Sequence, residues 1–155
     1  MSKSLRRVRA ALEGAGVAIQ IQEPGETRTA EQAAAAAGCA LDQIVKSIIF
    51  RGEASGHVRL FLTAGGNRVC PDRASALAGE ALGRADAALV RAETGFAIGG
   101  VAPLGLLSPC PTWADPRLLA FDQVWAAAGT PRHIFAIDPQ TLVSLSGATV
   151  AEFIQ

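Results

Sequence analysis

Two stretches of this chain carry residues that could act on a ligand. The first runs from Thr94 to Gly105, Thr-Gly-Phe-Ala-Ile-Gly-Gly-Val-Ala-Pro-Leu-Gly. The pair Gly99-Gly100 has no Cβ to keep a ligand from its amide N–H groups. Successive N–H groups aimed one way form a nest for an anion or a developing oxyanion. The competing meaning of a Gly-Gly pair is a tight turn or bulge between strands. The second stretch is Ile44 to Arg51, an apolar run with Lys46 set inside it and Ser47 beside it. In a strand this apolar, Lys46 either points outward from a one-sided sheet or projects into a cavity, and the Ser47 hydroxyl takes the opposite face.

Other reactive residue types give less. Cys39, Cys70 and Cys110 are widely spaced, a pattern that fits neither a disulfide framework nor a zinc site. All three read as ordinary thiols, with Cys39 packed after a helix end and a reactive Cys110 as the minor alternative. His57 and His133 lie near none of them in sequence. Gly65-Gly66 lacks the Gly-Lys-Ser/Thr ending of a P-loop and the third glycine of a dinucleotide fingerprint.

The elements that must position these residues follow from periodicity and punctuation. Leu5, Val8 and Leu12 recur at helical spacing through Ser4 to Gly14, which places Arg6, Arg7 and Arg9 toward solvent. Val17, Ile19 and Ile21 alternate as a half-buried strand. Thr29 followed by Gln32 is a capping-box pattern opening an alanine-rich helix to Ala37, with Gly38 placed to end it. The turn at Glu53 to Gly56 joins Ile44–Arg51 to His57–Thr63 as a hairpin. Asp72 opens a helix ending near Gly79 or Gly83, and Asp86 to Glu93 forms another. Thr94–Gly105 cannot easily be helix, because its glycines cost backbone entropy and Pro103 removes a donor, so it is expected as an ordered, partly buried loop. Pro109–Pro116 and His133–Ile137 read as strands. Asp138-Pro139 starts a helix that Gly147 follows, and Ala148–Phe153 reads as a last strand. This interleaving predicts a mixed sheet with short helices around it, in the α/β or α+β class.

Half of the 155 residues are hydrophobic, enough for one domain over 1–155 with a real core. Fourteen basic residues balance fourteen acidic ones, so no polybasic field supports sequence-independent binding to a nucleic-acid backbone. The first residues are polar and basic without an apolar run, and no segment reaches the length of a membrane-spanning helix. A soluble cytoplasmic protein is the expectation.

Together, Asp42-Gln43-Ile44-Val45-Lys46-Ser47 and the Thr94-Gly95-Phe96 to Gly105 stretch resemble the YbaK/EbsC family of free-standing aminoacyl-tRNA deacylases. That family is related to the editing insertion of bacterial prolyl-tRNA synthetase. The resemblance extends to Thr-Arg-Thr-Ala-Glu at the second helix, to Phe121–Pro131 and to the closing Asp-Pro-x-x-Leu helix. It implies a single domain on a barrel-like mixed sheet that hydrolyses the ester joining a wrong small amino acid, such as alanine, cysteine or serine, to a tRNA, chiefly proline tRNA.

No metal or cofactor is expected on this resemblance. The partner would be the acceptor end of a misacylated tRNA, with transient association with a synthetase. Lys46 matches the family lysine, Ser47 the small residue after it, and Gly99 to Pro103 the Gly-x-x-x-Pro loop. Amides of Gly99 and Gly100 would hold the oxyanion or the carbonyl. Lys46 would hold the terminal phosphate or orient the α-amino end through water. Phe50, Ile98 and Val101 would wall the pocket, with Ala102 in the loop and Pro103 fixing it. The rival readings are a binding module that keeps the pocket without hydrolysis and, more weakly, a DNA-binding protein.

Overall fold

In the computed structural model, which describes residues 2–155, the element around which the sheet is built is the strand that carries Lys46. The elements in chain order are α1 (Lys3–Gly14), β1 (Ile21–Gln22), α2 (Ala30–Ala37), β2 (Ile44–Gly52), β3 (Val58–Ala64), α3 (Pro71–Ala78) and β4 (Leu82–Arg84). They continue with α4 (Ala87–Thr94), β5 (Thr112–Ala114), β6 (Val124–Ala127), β7 (Ile134–Ile137), α5 (Pro139–Ser146) and β8 (Thr149–Val150). Short 3-10 turns at Leu41–Gln43 and Pro116–Ala120 complete the chain.

Helix starts follow local chemistry. Thr29 and Gln32 form the reciprocal capping box, and Gly38 closes α2 in the left-handed conformation at φ 68°. Asp86 and Asp138 cap α4 and α5 through their carboxylates, which accept from Leu89 N–H and Thr141 N–H. The small residues of α2 let it lie close on the sheet, where Ala33 and Ala34 pack with Ile44, Trp125, Ile134 and Ala136. The largest core cluster takes Leu5, Val8 and Leu12 of α1 against the sheet, with Phe96 and Val101 of the glycine-rich loop.

Among the described residues eight strands form one mixed sheet in the order β1-β7-β6-β2-β3-β5-β8, with β4 also on β2. The β2–β3 hairpin is antiparallel in register from Val45↔Ala64 to Arg51↔Val58, so β3 occupies one whole edge of β2. The other edge is shared. β6 runs parallel to it at Ile44 and Val45, and β4 runs antiparallel to it at Phe50, Arg51 and Gly52. Between these two neighbours no strand among the described residues pairs with Lys46 to Ile49 on that edge.

Several expectations are corrected. β1 is confined to Ile21–Gln22. Past it only a bond from Ala136 N–H to Gln20 O, 3.3 Å, continues the pairing before the chain turns off toward α1. Val17 and Ile19 still pack on the core. The last strand is shorter than Ala148–Phe153, with Ile154 making a single bridge to Val69. β4 was not foreseen. Gly79 ends α3, and Glu80 then accepts from the N–H groups of Ala54 and Ser55, which folds the following residues onto the hairpin.

The α1 arginines do not all face water. Arg7 Nε donates to Gly105 O (2.6 Å) and its Nη2 to Thr94 O (3.2 Å), while the guanidinium lies 4.5 Å from the Phe96 ring centroid. Arg9 carries a buried Nε. Arg7 thus finds two carbonyls and a ring face for its head.

Candidate active site

A cavity of about 430 Å³ opens at the split in the sheet. Its walls are Ile44 to Ile49 of β2, Trp125 to Ala127 of β6, Ala85 and Val90, the start of α2, and Ile98, Gly99 and Val101 of the glycine-rich loop. The two stretches singled out in the sequence therefore meet. Lys46, Ser47, Ile98, Gly99 and Val101 all line this space.

Phe50, Gly100, Ala102 and Pro103 do not. Phe50 stands beyond the point where β4 closes the edge, and its ring packs on Phe61 at 5.7 Å between centroids, edge to face. Ala102 and Pro103 are buried in packing behind the loop. The Gly100 N–H donates to Ala97 O at 3.0 Å, so the converging pair of amides expected from Gly99-Gly100 is not formed. The bare Gly100 Cα serves a close approach instead. A Cβ there would lie 2.5 to 2.8 Å from the Thr130 and Pro131 backbone. Of the pair, the Gly99 amide is the one left without an acceptor among the described residues, at an exposed position with φ +91°.

Lys46 projects toward the cavity rather than outward to solvent. Its Nζ donates to Asn67 O at 2.6 Å. Burial pushes its pKa down from the ordinary lysine value, the nearby Arg68 adds to this, and Glu31, Asp115 and Asp42 oppose it. Ser47 Oγ is buried and has no partner among the described residues.

The Ala64–Arg68 loop is an anchor for this lysine. Gly66 N–H donates to Asp42 Oδ1 (2.8 Å), and Asn67 Nδ2 donates to Asp115 Oδ2 (2.9 Å). Asp115, 2% exposed, also accepts from Ala64 N–H (3.1 Å) and Arg117 N–H (2.9 Å). Arg117 hydrogen-bonds Asp42 at 3.0 Å, which holds that carboxyl below its ordinary pKa. Asp115→Ala is expected to destabilise the fold by about 3 kcal/mol, because a buried amide and an amide side chain lose a charged acceptor together. Chemical denaturation measures this, and an unchanged midpoint would reject the anchoring role. Asp115 escaped sequence reasoning because nothing local distinguishes it from a surface helix cap.

Arg28 also escaped it. The residue lines the cavity, and a Cβ on Gly99 would lie 3.7 Å from its Nη1. Arg28 is exposed and paired with Glu26 at 2.7 Å, which puts a cation at the mouth. The histidines stand apart from this cavity. His57 hydrogen-bonds Glu93 (2.8 Å), and His133 contacts Thr130 Oγ1 (2.6 Å). Burial pushes the Cys110 thiol pKa up, the wrong direction for a reactive thiolate.

An apolar chamber at a sheet opening, holding a partly desolvated ammonium, the unengaged Gly99 amide and an unpartnered hydroxyl, suits a small activated acyl group better than a large polar ligand. The chain belongs to the aminoacyl-tRNA editing domain family, whose model matches residues 24–145. It is 32% identical over 122 residues to the uncharacterized protein YwhH of Bacillus subtilis (strain 168), covering 79% of this chain and 77% of that one. A solved structure described as a "putative trans-editing enzyme for prolyl tRNA synthetase" is 45% identical, with a TM-score of 0.91 over 100% of this chain and 99% of that one. Hypothetical protein APE2540 is 29% identical with a TM-score of 0.87, covering 96% and 99%. The mixed α/β fold and the kinship with editing domains expected from the sequence are thus both met. Among the described residues no helix is long and apolar enough to cross a membrane.

Proposed function

We propose that residues 1–155 form one trans-editing deacylase that hydrolyses the ester between a small amino acid and the 3′ end of a misacylated tRNA. The observation that carries this reading is that Lys46, a partly desolvated cation, and Gly99, with its unengaged amide, line one and the same apolar cavity. Such an ester is already activated, so its cleavage needs a positioned water and a stabilised oxyanion more than a protein nucleophile. Water adds to the carbonyl carbon, and the oxyanion is met by Gly99 N–H and by the positive charge of Lys46. The C–O bond to the ribose then breaks, releasing the amino acid and a free tRNA hydroxyl, which takes the proton.

Ile98 and Val101 set the room for the side chain, and the apolar lining selects by size. One methylene in such a pocket changes binding by about 1–3 kcal/mol, so alanine, cysteine and serine esters are expected to be separated incompletely. Arg28 at the mouth suits the phosphate of the terminal nucleotide. Proline tRNA is the favoured carrier because the 45% identical neighbour is described in terms of prolyl tRNA synthetase. A transient synthetase contact and a cytoplasmic location belong to the same reading.

The experiment is release of amino acid from alanyl, cysteinyl, seryl and prolyl esters of proline tRNA by the purified chain. Rapid loss of at least one small residue with the prolyl ester spared is the expected result. Saturable binding without hydrolysis of any ester would replace this reading with a binding module for charged tRNA.

A further inference from the structure

The opening in the sheet has a chemistry of its own. In an antiparallel ladder, alternate residues turn their N–H and C=O groups to opposite edges. Gly52 N–H bonds His57 O on the β3 side (2.9 Å), while Glu53 N–H bonds Ala81 O on the β4 side (2.9 Å). Counting back along β2 in twos from Glu53, Ser47 and Ile49 present their main-chain groups to the edge that β6 and β4 share. That edge is paired up to Val45 and again from Phe50, whose pairing with Arg84 engages the Ile49 carbonyl; among the described residues nothing bonds the main chain of Ser47 or the N–H of Ile49 there. Both residues line the cavity, and the Ser47 hydroxyl is buried without a partner. Polar groups in such a place are ordinarily satisfied by water or by a ligand.

We infer that the aminoacyl group of the substrate docks here as a one-residue β-strand, bridging the break between β6 and β4 through the main chain of Ser47 and the N–H of Ile49. This deepens, and rests on, the deacylase reading. The aminoacyl ester fits because it carries the two halves of a strand's hydrogen bonding, an α-ammonium donor and a carbonyl acceptor. Four open residues at about 3.3 Å each leave about 13 Å of edge, enough for one residue with its ribose behind it.

The terminal adenine also has donors and acceptors, but its phosphate chain must leave toward solvent. The acyl group is the end of the substrate and goes deepest, toward Val90 and Ala126, while Arg28 and Ile98 (53% exposed) stand at the mouth. Strand-like docking fixes the side chain on one face. The site should therefore require a free α-amino group and the L configuration, a selectivity that apolar walls alone would not impose.

The test uses the full chain and a non-hydrolysable probe, 3′-deoxy-3′-(L-alanylamino)adenosine, followed by amide nitrogen–proton NMR. Saturable shifts are expected at the amides of Ser47 and Ile49, with the ladder amides of Lys46 and Ile48 nearly still. The N-acetyl and D-alanyl probes should bind at least about tenfold more weakly, since each loses or misplaces a charged hydrogen bond. Binding that leaves Ser47 and Ile49 unshifted, equal affinity for the N-acetyl probe, or no binding at millimolar probe would each overturn the inference. The ester panel separates the two readings. Hydrolysis together with a negative NMR result removes this inference alone, and the predicted shifts without hydrolysis remove the deacylase reading while keeping the docking mode.

Discussion

Replacing Lys46 by alanine is expected to lower kcat/KM for ester hydrolysis by about 100-fold or more, with the melting temperature almost unchanged. Its Nζ makes one hydrogen bond, to Asn67 O, and its charge is partly stripped of water, so the folded state gains little from it. A cation in such a place acts on the transition state, where negative charge develops on the acyl oxygen. The pH profile adds a readout that a structural role would not move. Because the pKa of Lys46 is depressed, the protonated fraction falls as pH rises at values below the ordinary lysine range of about 10.4. Enzyme-dependent hydrolysis, corrected for the spontaneous reaction, should decline through that lowered value. Lys46→Arg keeps its charge at all accessible pH and should lose this alkaline limb, though its planar fork will not restore the full rate. Full activity in Lys46→Ala, or an unchanged alkaline limb in Lys46→Arg, would remove Lys46 from the chemistry.

The second large effect is expected at Gly100. A valine there places Cβ against the Thr130–Pro131 backbone at 2.5 to 2.8 Å. That backbone cannot retreat freely, since Pro131 O is held by Thr27 through its N–H (3.0 Å) and its hydroxyl (2.9 Å). The loop must move instead, carrying Gly99 and Val101 away from Lys46. Gly100→Val should cost about 1–3 kcal/mol of stability and most of the activity even at temperatures where the variant is folded. Gly99→Ala is the contrast, because its Cβ meets nothing closer than 3.7 Å. The left-handed φ of +91° costs about 1–2 kcal/mol, but the N–H stays in place. Wild-type turnover by folded Gly100→Val would show that the loop's position does not matter to the reaction.

What the sequence made legible was local. Caps at Thr29, Asp86 and Asp138, glycines at the C-termini of helices, and the Glu53–Gly56 turn each act within a few residues, so their elements appear where expected. The meeting of Lys46 with Gly99 was reached through the family resemblance, since more than fifty residues separate them. What depended on distant neighbours was not legible. Strand alternation places Lys46 and Phe50 on one face and Ser47 on the other, which would allow Lys46 or Ser47 into a pocket but not both. Both line it because the cavity runs along the edge of β2 rather than over one face. Phe50 drops out because β4, invisible to periodicity at three residues, closes that edge first. Gly99-Gly100 looked like a matched pair of amides, yet a neighbouring loop needs the room at Gly100.

The contact of Arg7 with both ends of the glycine-rich loop bears on modularity. The family match begins at residue 24, but the groups that fix Thr94 and Gly105 come from a helix ending at Gly14. Phe96 is 0% exposed and lies under the same guanidinium. The signature residues are therefore not a transplantable cassette. A fragment cut to the matched segment would keep Lys46 and Gly99 in its sequence and lose the brace on the two ends of the loop that carries Gly99.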